Sequence, residues 1–320
     1  MKCRRPFRRE FRAHHRDFVT APFQVIPLTG RLPRLKSDRV SAWKNVSSAT
    51  MESMKTMPTP ASQSDNLLPE SVIPGMGRGV TAAVSHYSLR QVSTDEELRV
   101  AQSLRFQVFN LELNEGLAAS FETELDADEF DPVCDHLLVE DNRSGEVVGT
   151  YRMQTGLSAR KNLGYYSARE FDFGPFEKVR HEVVELGRAC VHRDHRNFAV
   201  LNLLWKGIAR YAGQHGGRYL IGCSSLTSQD PIEGAALYRT FEKHLPDEAF
   251  RTDPLPEFRC PLEQVAVPAP KAPKLLMAYL MIGAKICGPP AIDREFKTID
   301  FLTFLDLKSM PARVAERFLG

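Results

Sequence analysis

The stretch from Val183 to Asn197, VVELGRACVHRDHRN, limits this chain more than any other. Two valines, Val183 and Val184, run into an acid and an arginine, Glu185 and Arg188, set around Gly187. A basic turn follows and opens into Ala199–Gln214, where Val200, Leu203, Leu204 and Ile208 recur at helical spacing. The pattern predicts a strand, a charged turn and a helix. Free amides at the helix N-terminus, with Arg193 and Arg196 beside them, suit the phosphate of a carrier that delivers an acyl group. The plainer alternative is a basic loop in which Asn197 is simply the N-cap and Ala199 the residue it covers.

In a straight strand Glu185 and Arg188 face opposite sides, because side chains alternate. A bulge at Gly187 shifts that alternation by one and brings both charges to one face. Glu185 then serves as a general base, with Arg188 orienting a substrate carboxylate or a neighbouring acid. A buried structural ion pair is the other outcome, since such pairs perturb proton affinities equally well. Cys190 has no His–Asp or His–Asn pattern to activate it and is expected to be a packed strand cysteine.

Charge divides the chain unevenly. The first 86 residues carry an excess of about eight positive charges and the rest about six negative ones. Residues 1–82 are rich in Arg, Ser, Pro and Met and show no sustained hydrophobic period, which predicts a disordered basic extension and linker. Residues 83–320 are expected to form the folded domain. The extension invites peripheral contact with an anionic membrane, or is merely solvated, or reflects too early a start with Met51, Met54, Met57 or Met76 as later ones. It lacks the interleaved aromatics of a nucleic-acid binder. No apolar run reaches the roughly 18 residues of a membrane helix, and no secretory signal is visible. The six cysteines form no CxxC pair, and His192 and His195 lack zinc-motif spacing, so no metal is expected. These features predict a cytoplasmic protein, peripheral at most to the inner membrane.

Order is predicted from His86. Tyr87–Val92 alternates as a strand, and Thr94 with Glu97 forms a capping box before a helix through Val108. An acid-rich loop, Glu122–Asp131, leads to a hairpin of His136–Glu140 and Glu146–Gln154. After Val183–Val191 and the long helix come a strand at Arg218–Ser224 and a helix at Ala235–His244. A helix near Leu275–Ile286 and a strand near Ile299–Leu307 follow. The order predicts an α/β fold, a mixed, mostly antiparallel twisted sheet flanked by helices.

Three resemblances bear on function. Strand, arginine-containing turn and helix resemble motif A of the GNAT acyltransferases, but Arg196–Leu201 lacks that motif's glycines. Tight wrapping of a coenzyme A pyrophosphate is therefore not expected, whereas a phosphopantetheine arm on acyl carrier protein needs no such wrap. Glu185-Leu186-Gly187-Arg188 resembles the E-x-S-R strand of the acyl-homoserine lactone synthases. Arg105–Phe109 and Asp126–Asp131 are similar to that family's R-x-x-V-F and E-x-D-x-Y/F-D segments. That likeness implies a charged cluster of Arg105, Asp128, Asp131, Glu185 and Arg188. The tryptophan of that family's N-terminal region has no counterpart here, which argues against an S-adenosylmethionine pocket.

EFDPVCDHLLV, VVGTYR, YYSAREFDF, ELGRACVHRDHRN and GAKICGPPAIDREFKTIDFLTFLDL together resemble the bacterial ornithine N-acyltransferases of ornithine-lipid synthesis, over roughly residues 87–310. The resemblance implies transfer of a 3-hydroxyacyl chain from acyl carrier protein to the α-amine of ornithine, giving lyso-ornithine lipid with no tightly bound cofactor. Glu185 would be the base and Arg188 the organiser of the acids. Asp128, Asp131 and Asp135, with Arg105 nearby, would receive the δ-ammonium or else pair with Arg105 and Arg152. Arg193, Arg196, Asn197 and Ala199 would receive the pantetheine phosphate. Phe106, Phe109, Phe130 and Tyr151 either border the acyl chain or belong to the core. Acylation of another amine (glycine, tyrosine or a homoserine lactone) and a non-catalytic carrier-binding module are the alternatives.

Overall fold

The computed structural model describes residues 86–265 and 268–319. The basic extension and its boundary at residue 82 lie outside the described residues. The chain divides into a first unit, residues 1–67, and a second, residues 68–320, to which every described residue belongs.

Eight strands make one sheet: β1 (Tyr87–Gln91), β2 (Asp135–Asp141), β3 (Glu146–Thr155), β4 (Val183–Val191), β5 (Tyr219–Leu226), β6 (Lys285–Ile286), β7 (Ala291–Asp293) and β8 (Thr298–Asp306). Their order is β1-β2-β3-β4-β5-β8-β6, with β7 also on β8. Every pairing is antiparallel except β4 with β5. That parallel pairing covers Val183–Glu185 against Tyr219–Ile221 and stops there, so the two strands splay beyond Glu185. At the fork, a methyl group on Gly222 would lie 2.1 Å from the Leu186 carbonyl oxygen, so only glycine permits the approach.

Helices cover the two faces. On one lies α1 (Asp95–Phe106), which continues through a π-helical turn at Gln107–Glu112. Thr94 caps α1 by accepting from the Glu97 amide, while Glu97 returns to the amide of Ser93 rather than of Thr94. A short helix, α2 (Gly156–Lys161), follows β3. On the opposite face α3 (Phe198–Gln214) buries Val200, Leu204, Ile208, Tyr211 and Ala212 against Leu137, Val139, Tyr151, Val184 and Leu220. Burial of each such large side chain stabilises by roughly 1.5–3 kcal/mol, which holds the helix to the sheet.

The C-terminal third departs from expectation at two places. The predicted Ala235–His244 helix is α4 (Pro231–Thr240), because Asp230 caps it and Pro231 occupies its first turn. The predicted Leu275–Ile286 helix ends early. α5 (Lys274–Met281) stops before Gly283, whose φ of +105° is closed to other residues, and Lys285–Ile286 becomes strand β6. The final helix, α6 (Ala312–Leu319), lies on α3.

Candidate active site

β4 carries the predicted bulge. Thr150 pairs with Cys190 but Arg152 pairs with Gly187, so β4 holds one residue more than β3 across this step. The residue that absorbs it is Arg188, at φ +48°, in the left-handed region that a side chain enters at a cost of roughly 1 kcal/mol. Glu185 and Arg188 consequently converge on the same turn. The backbone amide of Tyr166 donates to Glu185 at 2.8 Å and the Tyr166 hydroxyl lies 3.3 Å from Arg188 Nη2.

Glu185 is buried and accepts three hydrogen bonds. Gln154 Nε2 (2.6 Å) and the Tyr166 amide reach Oε2, and the Ser167 amide (2.8 Å) reaches Oε1. It ties β4 to the Tyr165–Ser167 segment. Arg188 turns toward the acid loop, donating to Asp126 Oδ1 (3.1 Å) and Asp128 Oδ2 (3.0 Å), with its guanidinium 4.5 Å from the Phe296 ring centroid.

The acid loop is charge-matched. Arg105, wholly buried, holds Asp131 through two nitrogens at 3.0 and 2.6 Å and lies 2.8 Å from Asp126. Arg152 reaches Asp128 at 2.5 Å and Asp131 at 2.8 Å. Gln102 completes Asp131 at 2.8 Å. Burial alone would raise both acids. Arg152 and Arg188 overcome that at Asp128, and Arg105 and Arg152 at Asp131, holding each below the ordinary carboxylate range.

Other predicted residues fall elsewhere. Asp135 sits at the start of β2, accepting from Tyr211 (2.6 Å) and Gln91 (2.7 Å), apart from the other acids. Asn197 is the N-cap of α3: its side chain accepts from the amides of Ala199 and Val200. Arg196 is bound to Glu112 through two nitrogens at 2.6 and 2.8 Å, and Arg193 lies on the exposed turn before α3. Burial pushes the Cys190 thiol up to about 12, which leaves it unreactive near neutrality. Phe106, Phe109 and Phe130 are core residues on the α1 side.

Two features were not legible from spacing. The first is an apolar pocket at the fork of the sheet, lined by Leu186, Gly222 and Cys223 and by Tyr151, Trp205 and Tyr279. Of the four aromatics considered at the outset, Tyr151 alone lines it. The second is a buried acid group on the α1 face: one carboxylate oxygen each of Glu170 and Asp300 and the Cys223 sulfur all lie within 4.8 Å of one another. Burial, then the charges of Asp300 and Asp293, hold Glu170 well above the ordinary range, and Asp300 is raised to about 6, chiefly by burial. Nearby Glu115, accepting from the Thr227 hydroxyl, is raised by burial to about 7. The available signal was Asp300, an acid inside the largely apolar run TIDFLTFL; Glu170, beside Arg169 and Asp172, gave none.

The splayed mixed sheet, with an apolar pocket and a charged site at its fork, belongs to a GNAT-type acyltransferase. In agreement, residues 104–206 match the acetyltransferase (GNAT) domain family. The chain belongs, more narrowly, to the L-ornithine N(alpha)-acyltransferase family. It is 32% identical to the L-ornithine N(alpha)-acyltransferase of Agrobacterium fabrum over 260 residues, covering 76% of this chain and 88% of that one. To the enzyme of that name from Rhodobacter capsulatus it is 32% identical, over 74% of this chain and 96% of the relative. Among solved structures it is similar to FeeM, an N-acyl amino acid synthase from uncultured soil microbes, with TM-score 0.43 and 11% identity over 70% and 91% of the two chains.

Proposed function

We propose that this enzyme moves a 3-hydroxyacyl chain from acyl carrier protein to the α-amine of L-ornithine, forming lyso-ornithine lipid, the first intermediate of ornithine-lipid synthesis. The observation that carries the proposal is the junction at the sheet fork, where an apolar pocket on the α3 side meets the Glu185–Arg188 site on the other. The names of the similar enzymes supply the acceptor.

The acyl chain lies in the pocket, which places its thioester carbonyl at the fork. Glu185 takes the proton of the α-ammonium. Because three donors already occupy its oxygens, it acts through an intervening water. The freed nitrogen attacks the carbonyl carbon, and backbone amides of the Gly187–Ala189 bulge stabilise the oxyanion. Collapse forms the amide, breaks the carbon–sulfur bond and releases the carrier thiol with a proton. Arg188 holds the acid loop in place throughout.

The donor choice rests on the turn before α3. Asn197 already occupies the amides of Ala199 and Val200, and Glu112 holds Arg196. A single phosphate met by Arg193 at the rim suits this turn better than a pyrophosphate wrapped in amides, so no tightly bound cofactor is proposed. The basic extension is proposed to bring the cytoplasmic enzyme to the inner-membrane surface, where its product resides.

Purified enzyme incubated with 3-hydroxyacyl carrier protein and a panel of amino acids, with products read by mass spectrometry, tests the proposal. Acyl-ornithine is expected. Acyl-glycine or acyl-tyrosine without acyl-ornithine would overturn the acceptor, and activity with acyl-coenzyme A alone would overturn the donor.

A further inference from the structure

The Glu170–Asp300 group lacks what the acid loop has, a set of cations. Glu170 and Asp300 lie close enough to share a proton, and Ser225 and Thr298 reach Asp300, but Glu170 Oε2 and Asp300 Oδ1 have no other donor among the described residues although the two side chains' residues are only 3% and 5% exposed. Leaving buried carboxyl oxygens unpaired is costly, and a native chain does so where something else supplies the partner. Asp293 adds its field to both acids, and Glu115 feels Asp300 in turn. Arg188 is the cation that opposes this charge at Glu170, and it is already bound to Asp126 and Asp128.

The position of the group is equally specific. Cys223 belongs at once to this cluster and to the lining of the apolar pocket, two residues past the last β4–β5 pair. Ser167, whose amide holds Glu185, also bonds the Cys223 thiol. The acids therefore border the fork within one continuous polar path: Glu185, Ser167, Cys223, then Glu170 and Asp300.

We infer that Glu170 and Asp300 form the subsite for the side-chain ammonium of a dibasic acceptor, and so select it over a monobasic one. The inference rests on the acyl-transfer reading for which face receives the acceptor. An α-amino acid with an uncharged side chain brings one positive and one negative charge, which leaves the group as unmatched as before. A second ammonium supplies the missing cation and donates to the orphan oxygens, an exchange rewarded most in a desolvated site. A divalent cation would occupy the same space. The donor set argues for the amine, since two carboxylates and one thiol with no histidine suit no common divalent site well.

Calorimetric binding of L-ornithine and of L-norvaline, which lacks only the δ-ammonium, tests this without any acyl donor. Wild-type enzyme is expected to bind ornithine at least about tenfold more tightly. Asp300→Asn and Glu170→Gln should each remove most of that preference while changing norvaline affinity less than about threefold. Thermal unfolding confirms that each variant is folded, and the two substitutions check one another. Equal affinity of wild type for the two ligands, or an intact preference in both folded variants, overturns the inference. So does a preference that chelation abolishes and a divalent metal alone restores. Because no transfer is measured, failure of the acylation assay would strike the proposed function and not this result.

Discussion

Two acid clusters share one face of the sheet and are built on opposite terms. Around Asp126, Asp128 and Asp131, three buried arginines, Arg105, Arg152 and Arg188, answer three aspartates. Around Glu170 and Asp300, acids face acids, with two buried oxygens unbonded. The first cluster is charge-balanced, three guanidiniums against three carboxylates, and holds the loop after α1 against β3 and β4. Among the described residues the second has no arginine of its own and, once ionised, is balanced only by a cation from outside. Charge matching thus separates an architectural cluster from a receptive one, although both are buried and both are acidic.

Removing one member of the matched cluster should have the largest effect. Asp131→Ala leaves Arg105 and Arg152 short of a buried counter-charge, at a cost of about 3–5 kcal/mol, seen in urea denaturation at pH 7. Unchanged stability would mean that the aspartates and arginines are not interdependent.

pH should act on the two clusters in opposite directions. Asp128 and Asp131, lowered in the fold, stabilise it above their ordinary value near 3.8 and lose that contribution as the solution is acidified. Asp300 and Glu115, raised to about 6 and about 7, destabilise the ligand-free enzyme increasingly as pH climbs from the ordinary carboxylate range to those values, and no further above them. Asp300→Asn should therefore stabilise the ligand-free enzyme by roughly 2–3 kcal/mol at pH 8, by about half as much at pH 5, and by less than about 1 kcal/mol near pH 4. Destabilisation at pH 8 would show that the hydrogen bonds from Ser225 and Thr298 outweigh the burial of its charge.

The smallest effect is expected outside both clusters. Arg169 pairs with Glu129 with both side chains at least half exposed. Arg169→Ala should change the unfolding free energy by less than about 1 kcal/mol. A larger loss would extend the matched cluster to the surface.

The contrast also explains what could be read in advance. The strand–turn–helix after Val183, the hairpin and the bulge all follow from short-range rules, and the Arg105–Asp131–Arg188 grouping followed from motif likeness. Helix ends were misplaced where one residue decided the matter: Pro231 and Asp230 start α4 early, and Gly283 stops α5. Asp135 looked equivalent to Asp131 in the sequence. It is the first residue of β2, where it meets Tyr211 from a helix 76 residues away. Glu170 and Asp300 are 130 residues apart and meet only because β8 enters the sheet beside β5. Neighbour relations of that range depend on strand order, which no local pattern specifies.

The short pairing between β4 and β5 carries a last consequence. Three residue pairs join the β1–β4 wing to the β5–β8 wing, and beyond them the apolar pocket opens between Tyr151, Leu186, Trp205, Leu220 and Tyr279. On the proposed function, the fatty chain is a removable part of the hydrophobic interior. The enzyme is then a wedge-shaped mould, fully packed only during its reaction. Each methylene that enters contributes about 0.8 kcal/mol toward closing it. On that reading longer chains bind more tightly until the space between Tyr151, Trp205 and Tyr279 is filled, and substrate binding is itself a packing step of the fold.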